Sequence, residues 1–183
     1  MFYEMTIAGL KRQLPLCKVA DDFYIAAFIM FSDVEITKAT AAALLEKAPE
    51  FDLVMTAESK GIPLAYEMTR QAEKNDYIVA RKGLKVYMED VIETDVNSIT
   101  TQHLQHLYLG KTEIEKVRGK KVLIVDDVIS TGASLKSIES LVEQAGGEIV
   151  GRMAVLAEGE AADRQDIIYL EKLPVFNADG SVK

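Results

Sequence analysis

The chain has 183 residues, 49% of them hydrophobic and 27% charged, with a formal net charge of −8, which bounds it to one compact domain with a sizeable core. That charge argues against a nucleic-acid or anionic-membrane surface, which clustered Lys and Arg usually read, so any anion has to be bound locally. The lone cysteine, Cys17, cannot form an internal disulfide, no Cys/His group has metal-ligand spacing, and a reducing cytoplasm fits best.

In chain order, the longest apolar run is "YIAAFIMF" (24–31), flanked by Asp21, Asp22 and Asp33, and it is far too short to span a bilayer. The residues before it lack the positive segment, long apolar run and cleavage site of a signal peptide. A helical pattern over 36–48 precedes a buried strand at "FDLVMTA" (51–57), and a second helix over 62–73 precedes a strand at "DYIVAR" (76–81). From Gly83 to Lys116 no strong core pattern stands out. A connection of that length is usually functional, and Ser98, Thr100, Thr101, Gln102 and Gln105 suit either a mobile lid or a solvated β-ribbon. His103 and His106 are three apart with no third ligand in view, so they read as surface histidines.

The pattern then resumes with a strand at "KVLIVD" (121–126), a helix over 134–145 and a strand at "IVGRMAVLA" (149–157). Leu135, Ile138, Leu141, Val142 and Ala145 share one face of that helix, and Gly146 and Gly147 supply its stop. Strands alternating with helices predict an α/β fold, a central parallel sheet with helices on both faces.

The chemistry concentrates in "VLIVDDVISTGAS" (122–134). At the carboxyl end of a parallel strand, where open α/β sheets bind ligands, Asp126 and Asp127 precede a loop of Ser, Thr and Gly that opens a helix. Such a loop suits a phosphate. Two carboxylates beside a phosphate would repel it unless they face sugar hydroxyls or a divalent cation, and a phosphorylated ribose offers both. The structural alternative is a turn cap at Asp126 and a plain helix N-cap at "STGAS". Neither a G-x-x-x-x-G-K-[ST] loop nor a G-x-G-x-x-G turn occurs.

These residues resemble the phosphoribosyl pyrophosphate motif of the type I phosphoribosyltransferases. Two further segments are similar to that family: "ESKGIPLA" (58–65) to the pyrophosphate loop of its adenine and xanthine enzymes, and "ARKGLK" (80–85) to the segment leading into their mobile loop. The resemblance implies a single domain over 1–183, with a small hood from about 1–35 and 158–183 and a lid over about 83–116. It implies that Asp126 and Asp127 contact the ribose hydroxyls, directly or through Mg²⁺, and that Ser130, Thr131, Gly132, Ala133 and Ser134 wrap the 5'-phosphate. Ser59, Lys60 and Gly61, with Arg81, Lys82 and Lys85, would hold pyrophosphate, often with an unusual cis peptide in the loop. Lys82 and Lys85 read on their own as solvated lysines.

The resemblance weighs toward the purine branch and, within it, the adenine enzymes. Ser130 stands where hypoxanthine-guanine enzymes usually carry an Asp that serves the purine N7. "FIMFSDVEIT" (28–37) is similar to the base-holding segment of adenine enzymes, although Ser32 replaces their Arg; Phe31 would stack on the base or, alternatively, belong to the core. "LYLGKTEIE" (107–115) is similar to their loop but lacks the acid before the Tyr, so no proton-handling residue is assigned. The expected activity is phosphoribosyl transfer from 5-phosphoribosyl 1-pyrophosphate to a purine base, adenine favoured. A xanthine or other acceptor, or a non-catalytic sensor, is the alternative. The resemblance further implies a homodimer, with neither nucleic acid nor membrane as partner.

Overall fold

The computed structural model describes residues 1–96 and 105–183. Three antiparallel strands open the chain: β1 (Phe2–Ile7), β2 (Leu10–Ala20) and β3 (Phe23–Ala26). Helix α1 (Val34–Leu45), strand β4 (Leu53–Ala57), helix α2 (Ile62–Gln71) and strand β5 (Tyr77–Ala80) follow. Next come an antiparallel ribbon of β6 (Ile92–Val96) and β7 (Gln105–Leu109), helix α3 (Lys111–Val117), strand β8 (Lys121–Ile129), helix α4 (Ala133–Ala145) and strand β9 (Glu148–Glu158). A 3₁₀ turn (Gly159–Asp163) leads to β10 (Ile168–Leu173) and β11 (Val175–Phe176).

Strands β4, β5, β8, β9 and β10 form a wholly parallel sheet in the order β10-β9-β8-β4-β5. Side chains of β8 alternate across it. Val122 and Ile124 pack with Leu135, Ile138 and Leu141 of α4, while Leu123 and Val125 pack with α1 and α2 through Leu44, Leu64 and Met68. The two helical layers expected from the alternating pattern are therefore present. Helix α4 stops where expected: Gly146 is left-handed at φ 79°, and the N–H groups of Gly146 and Gly147 bond back to Glu143 and Val142.

The second sheet, β1-β2-β3-β11, is built from the two segments expected to form a hood, and that name is kept for it. It shares one core with α1 and α2, since Ile7, Leu14, Phe28, Met30 and Phe176 are buried in the same cluster as Ile36 and Leu64. Asp33 pins the junction: it caps α1 through Ile36 N–H at 3.0 Å and receives Arg12 Nε of β2 at 2.7 Å.

Within the apolar run Tyr24–Phe31, β3 ends at Ala26, and Ala27 to Ser32 lead from that sheet to α1, with Ser32 at φ 67°. Two expectations change. The stretch 83–116 does carry core: Leu107 and Leu109 are fully buried beneath α4 and beside β5, and Arg81 and Tyr108 bridge their backbones at 3.0 and 2.9 Å. The apolar part of β7 is only the short run Leu107–Leu109, which hid the strand. Strand β10, within the segment assigned to the hood, instead extends the core sheet beside β9. Strand β5 forms the other edge of that sheet. The expectations for Ser98, Thr100, Thr101, Gln102 and His103 lie outside the described residues.

Candidate active site

All five parallel strands point their carboxyl ends to one edge, and the sheet opens there. Strand β4 pairs with β8 only as far as Met55 and Ile124, whereas β9 stays paired to β8 through Ile129. Asp126 and Asp127 thus sit on β8 where its β4 neighbour has left. The order of the strands also reverses between β4 and β8, the position at which open sheets form ligand crevices.

The loop after β4 folds into this opening and contains a cis peptide at Glu58–Ser59. Gly61 is needed there for space: a Cβ would lie 2.3 Å from Thr56 Oγ1 and 3.0 Å from Asp126 Oδ1. Lys60 Nζ lies 2.8 Å from Asp127 Oδ2, an ion pair made without a directed hydrogen bond. Ser59, Lys60, Lys82, Asp126, Asp127 and Ser134 face one cavity of about 180 Å³. Asp126 Oδ1 accepts the N–H of Asp127 at 2.9 Å. Enclosure by protein, and then the neighbouring Asp127 carboxylate, raise the Asp126 pKa well above the ordinary aspartate range.

Arg81 and Lys85 stand outside that cavity's lining. Arg81 Nη2 instead faces Glu58 Oε1 at 3.3 Å, and Glu58 also accepts the Lys82 N–H at 2.9 Å. That backbone bond, with the charges of Arg81 and Lys85, holds the Glu58 carboxyl below its usual range. Glu58, which sequence reasoning did not single out, therefore joins the loops after β4 and β5.

Ser130 to Ser134 line a small cradle of about 50 Å³ at the start of α4. Gly132 is left-handed at φ 77° and no side chain caps the helix, so the first-turn N–H groups suit an anion. Arg164 backs the loop, with Nη1 2.4 Å from where a Gly132 Cβ would stand; its Nε and Nη2 are held by Asp166 at 2.9 and 2.6 Å.

Beside these two sites lies a larger cleft of about 870 Å³ between hood and sheet edge. Phe23, Ile25, Phe28 and Ile29 supply its hood wall, and Lys60, Ser130, Thr131 and Glu158 its other side. Phe31 is not in this lining and is 45% exposed, so of its two expected roles neither a buried core position nor the cleft wall is where the structure puts it. Phe23 and Phe28 are the aromatics in place. The apolar run 24–31 contains Phe28, and its residues Ile25 to Ile29 line the cleft; Phe23 stands one residue before the run. Glu158 and Arg164 carried no motif and were missed.

Residues 33–179 match the family model of the phosphoribosyl transferase domain. The chain belongs to that family. As a phosphoribosyltransferase it is 34% identical over 149 residues, 76% of this chain and 75% of the relative, to the adenine phosphoribosyltransferase of Ruminiclostridium cellulolyticum. It is 33% identical over 109 residues to xanthine phosphoribosyltransferase 1 of Clostridium perfringens, a match that spans 59% of this chain but only 56% of that protein. Among solved structures, the adenine phosphoribosyltransferase of Thermoanaerobacter pseudethanolicus superposes with a TM-score of 0.67 at 20% identity, covering 94% of this chain and 95% of that one. That similarity shows the phosphoribosyltransferase fold. Among the described residues no helix is long and apolar enough to cross a membrane.

Proposed function

We propose that the protein transfers the phosphoribosyl group of 5-phosphoribosyl 1-pyrophosphate to a purine base in purine salvage, with adenine the favoured acceptor. One observation carries this reading: the acid pair shares one cavity with the lysine-bearing loop, Asp126 also borders the anion cradle, and an apolar cleft of about 870 Å³ reaches the loop at Lys60 and the cradle at Ser130 and Thr131. The cradle takes the 5'-phosphate, Asp126 and Asp127 accept hydrogen bonds from the ribose hydroxyls, and Ser59, Lys60 and Lys82 hold the pyrophosphate. The base enters the cleft, an apolar slot fit for a flat heterocycle.

In the reaction a base ring nitrogen forms a bond to the anomeric carbon as that carbon's bond to the pyrophosphate oxygen breaks. The ribose gains positive character and the leaving group negative charge. Asp126 and Asp127 would face the first and Lys60 and Lys82 the second, so fixed charges would meet both. The carboxylate oxygens of Asp126 and Asp127 are donors of the kind a divalent ion takes, so they would hold Mg²⁺ toward the bound diphosphate; when bound, Mg²⁺ offsets the leaving group's charge. Closure of the segment after Lys82 as a lid would exclude water that competes for the same carbon. A reducing cytoplasm and a homodimer complete the reading.

The test is to supply Mg²⁺ and 5-phosphoribosyl 1-pyrophosphate with adenine, hypoxanthine, guanine, xanthine or no base, and to follow pyrophosphate and nucleotide. Adenosine monophosphate as the main product is expected. Product from xanthine alone would move the acceptor, and tight binding with no product from any base would replace catalysis by sensing.

A further inference from the structure

We propose that Glu158 selects the acceptor base, its carboxyl accepting a hydrogen bond from an exocyclic amino group and repelling a ring carbonyl at the same place. This deepens the purine-transfer reading and rests on it.

The cleft leaves few polar groups free to read a base. Lys60 is paired with Asp127, and Arg164 is committed to Asp166 through two nitrogens. Ser130 and Thr131 belong to the anion cradle as well as to the cleft. Glu160 also lines the cleft but is exposed to solvent, which weakens any contact it makes. Glu158 differs from all of these. It ends β9 beside the cradle, is half-buried, lines the cleft, and has no side-chain hydrogen bond or ion pair among the described residues. Its burial pushes the carboxyl pKa up, with Lys60 pulling the other way.

A half-buried carboxyl without a partner is costly unless a ligand supplies one. An aminopurine such as adenine offers an N–H donor and no carbonyl. A 6-oxopurine at the same place turns a carbonyl oxygen toward a carboxylate, and xanthine carries two such oxygens. The apolar hood wall is indifferent to this difference, since removing or adding a polar atom against an apolar surface discriminates weakly.

The experiment compares kcat/KM for adenine and hypoxanthine in the wild type, Glu158→Gln and Glu158→Lys, with the KM for 5-phosphoribosyl 1-pyrophosphate as an internal reference. Glu158→Gln keeps the shape and loses the charge; it is expected to shift the adenine to hypoxanthine ratio by at least about tenfold toward hypoxanthine. Glu158→Lys, a donor only, is expected to shift it further, while the pyrophosphate substrate's KM stays within about twofold. Glu158→Gln is nearly isosteric, so it carries the test if the lysine variant does not fold. An unchanged ratio in a folded Glu158→Gln enzyme that still makes adenosine monophosphate overturns the role of Glu158 alone. A wild type that prefers an oxopurine overturns it too, and a wild type inert toward every purine removes both the role and the purine-transfer reading beneath it.

Discussion

Lys60 Nζ stands 2.8 Å from Asp127 Oδ2, joining a lysine side chain that is 50% exposed to a carboxylate that is only 3% exposed. Oδ2 has no hydrogen-bond partner among the described residues, so the ammonium neutralises it by charge rather than by direction. An ammonium held this way can turn to a diphosphate without breaking a directed bond.

Replacing Lys60 with Met should therefore damage catalysis more than folding. Loss of a fixed charge facing the leaving group typically lowers kcat by about 10²–10³-fold. Because the buried Asp127 carboxylate loses its cation, the change also costs stability, about 1–3 kcal/mol, which for a chain of this size lowers Tm by several degrees. Steady-state kinetics beside a thermal melt separate the two. A Lys60→Met enzyme with wild-type kcat would remove the lysine from the leaving-group site.

Asp126 should show the opposite sign in stability. Its folded pKa is raised by burial and by Asp127, so the stability linked to its proton is present below the unfolded value near 3.8 and is lost as pH rises through the folded value. At neutral pH the wild type carries that cost. Asp126→Asn retains an oxygen for the Asp127 N–H and removes it. The variant is expected to melt a few degrees above wild type at pH 7.5, to converge with it below about pH 4, and to lose turnover. Equal melting temperatures across that range would show that the acid is not held against its charge.

The parallel sheet and its helices were legible because their burial is two-sided: β4 and the paired half of β8 are buried at nearly every position, and continuous apolar runs stand out. The ribbon was not, since β6 and β7 bury one face only, and in β7 it is Leu107 and Leu109 that do so. The acid pair, the cradle and the Ser59–Gly61 loop were legible because each is contiguous in sequence. The cleft was not, because Phe28 of the hood turn, Val128 of β8 and Glu158 of β9 meet only through the fold. For the same reason the sequence showed Arg81 as a cation but not that Glu58 turns it aside.

Gly61→Ala tests how tightly the loop seats on β8. Gly61 has φ −74°, ordinary for any residue, so the obstacle is contact: the new methyl would meet Thr56 Oγ1 at 2.3 Å and Asp126 Oδ1 at 3.0 Å. Thr56 is fully buried and cannot swing away. Overpacking of this kind costs about 1–3 kcal/mol, and the loop is expected to lift, raising the KM for 5-phosphoribosyl 1-pyrophosphate. Adding Thr56→Ala removes the nearer atom and should recover part of both losses. If the double variant is no better than Gly61→Ala alone, the contact with Thr56 is not what sets the loop's position.

Asp33 links hood geometry to acceptor binding. It caps α1 and takes Arg12 Nε at 2.7 Å and Nη2 at 3.1 Å, and the side-chain bond from Arg12 holds its carboxyl below the ordinary value of 3.8. A depressed pKa means that the linked stability is present above 3.8 and is lost as pH falls through the lower folded value. Asp33→Ala removes cap and ion pair together, an expected loss of about 1–2 kcal/mol; Asp33→Asn keeps the cap and should lose about half of that. The gap between wild type and Asp33→Asn in melting temperature should close on acidification below pH 3.8, as Asp33 itself becomes neutral; Glu35, the second anion on Arg12 at 2.8 Å, is common to both. Because β3 and the turn behind it supply Phe23, Ile25 and Phe28 to the cleft, a hood loosened at Asp33 should also raise the KM for the base while leaving that for 5-phosphoribosyl 1-pyrophosphate near wild type. A rise in both would mean that the hood and the sheet edge move as one body.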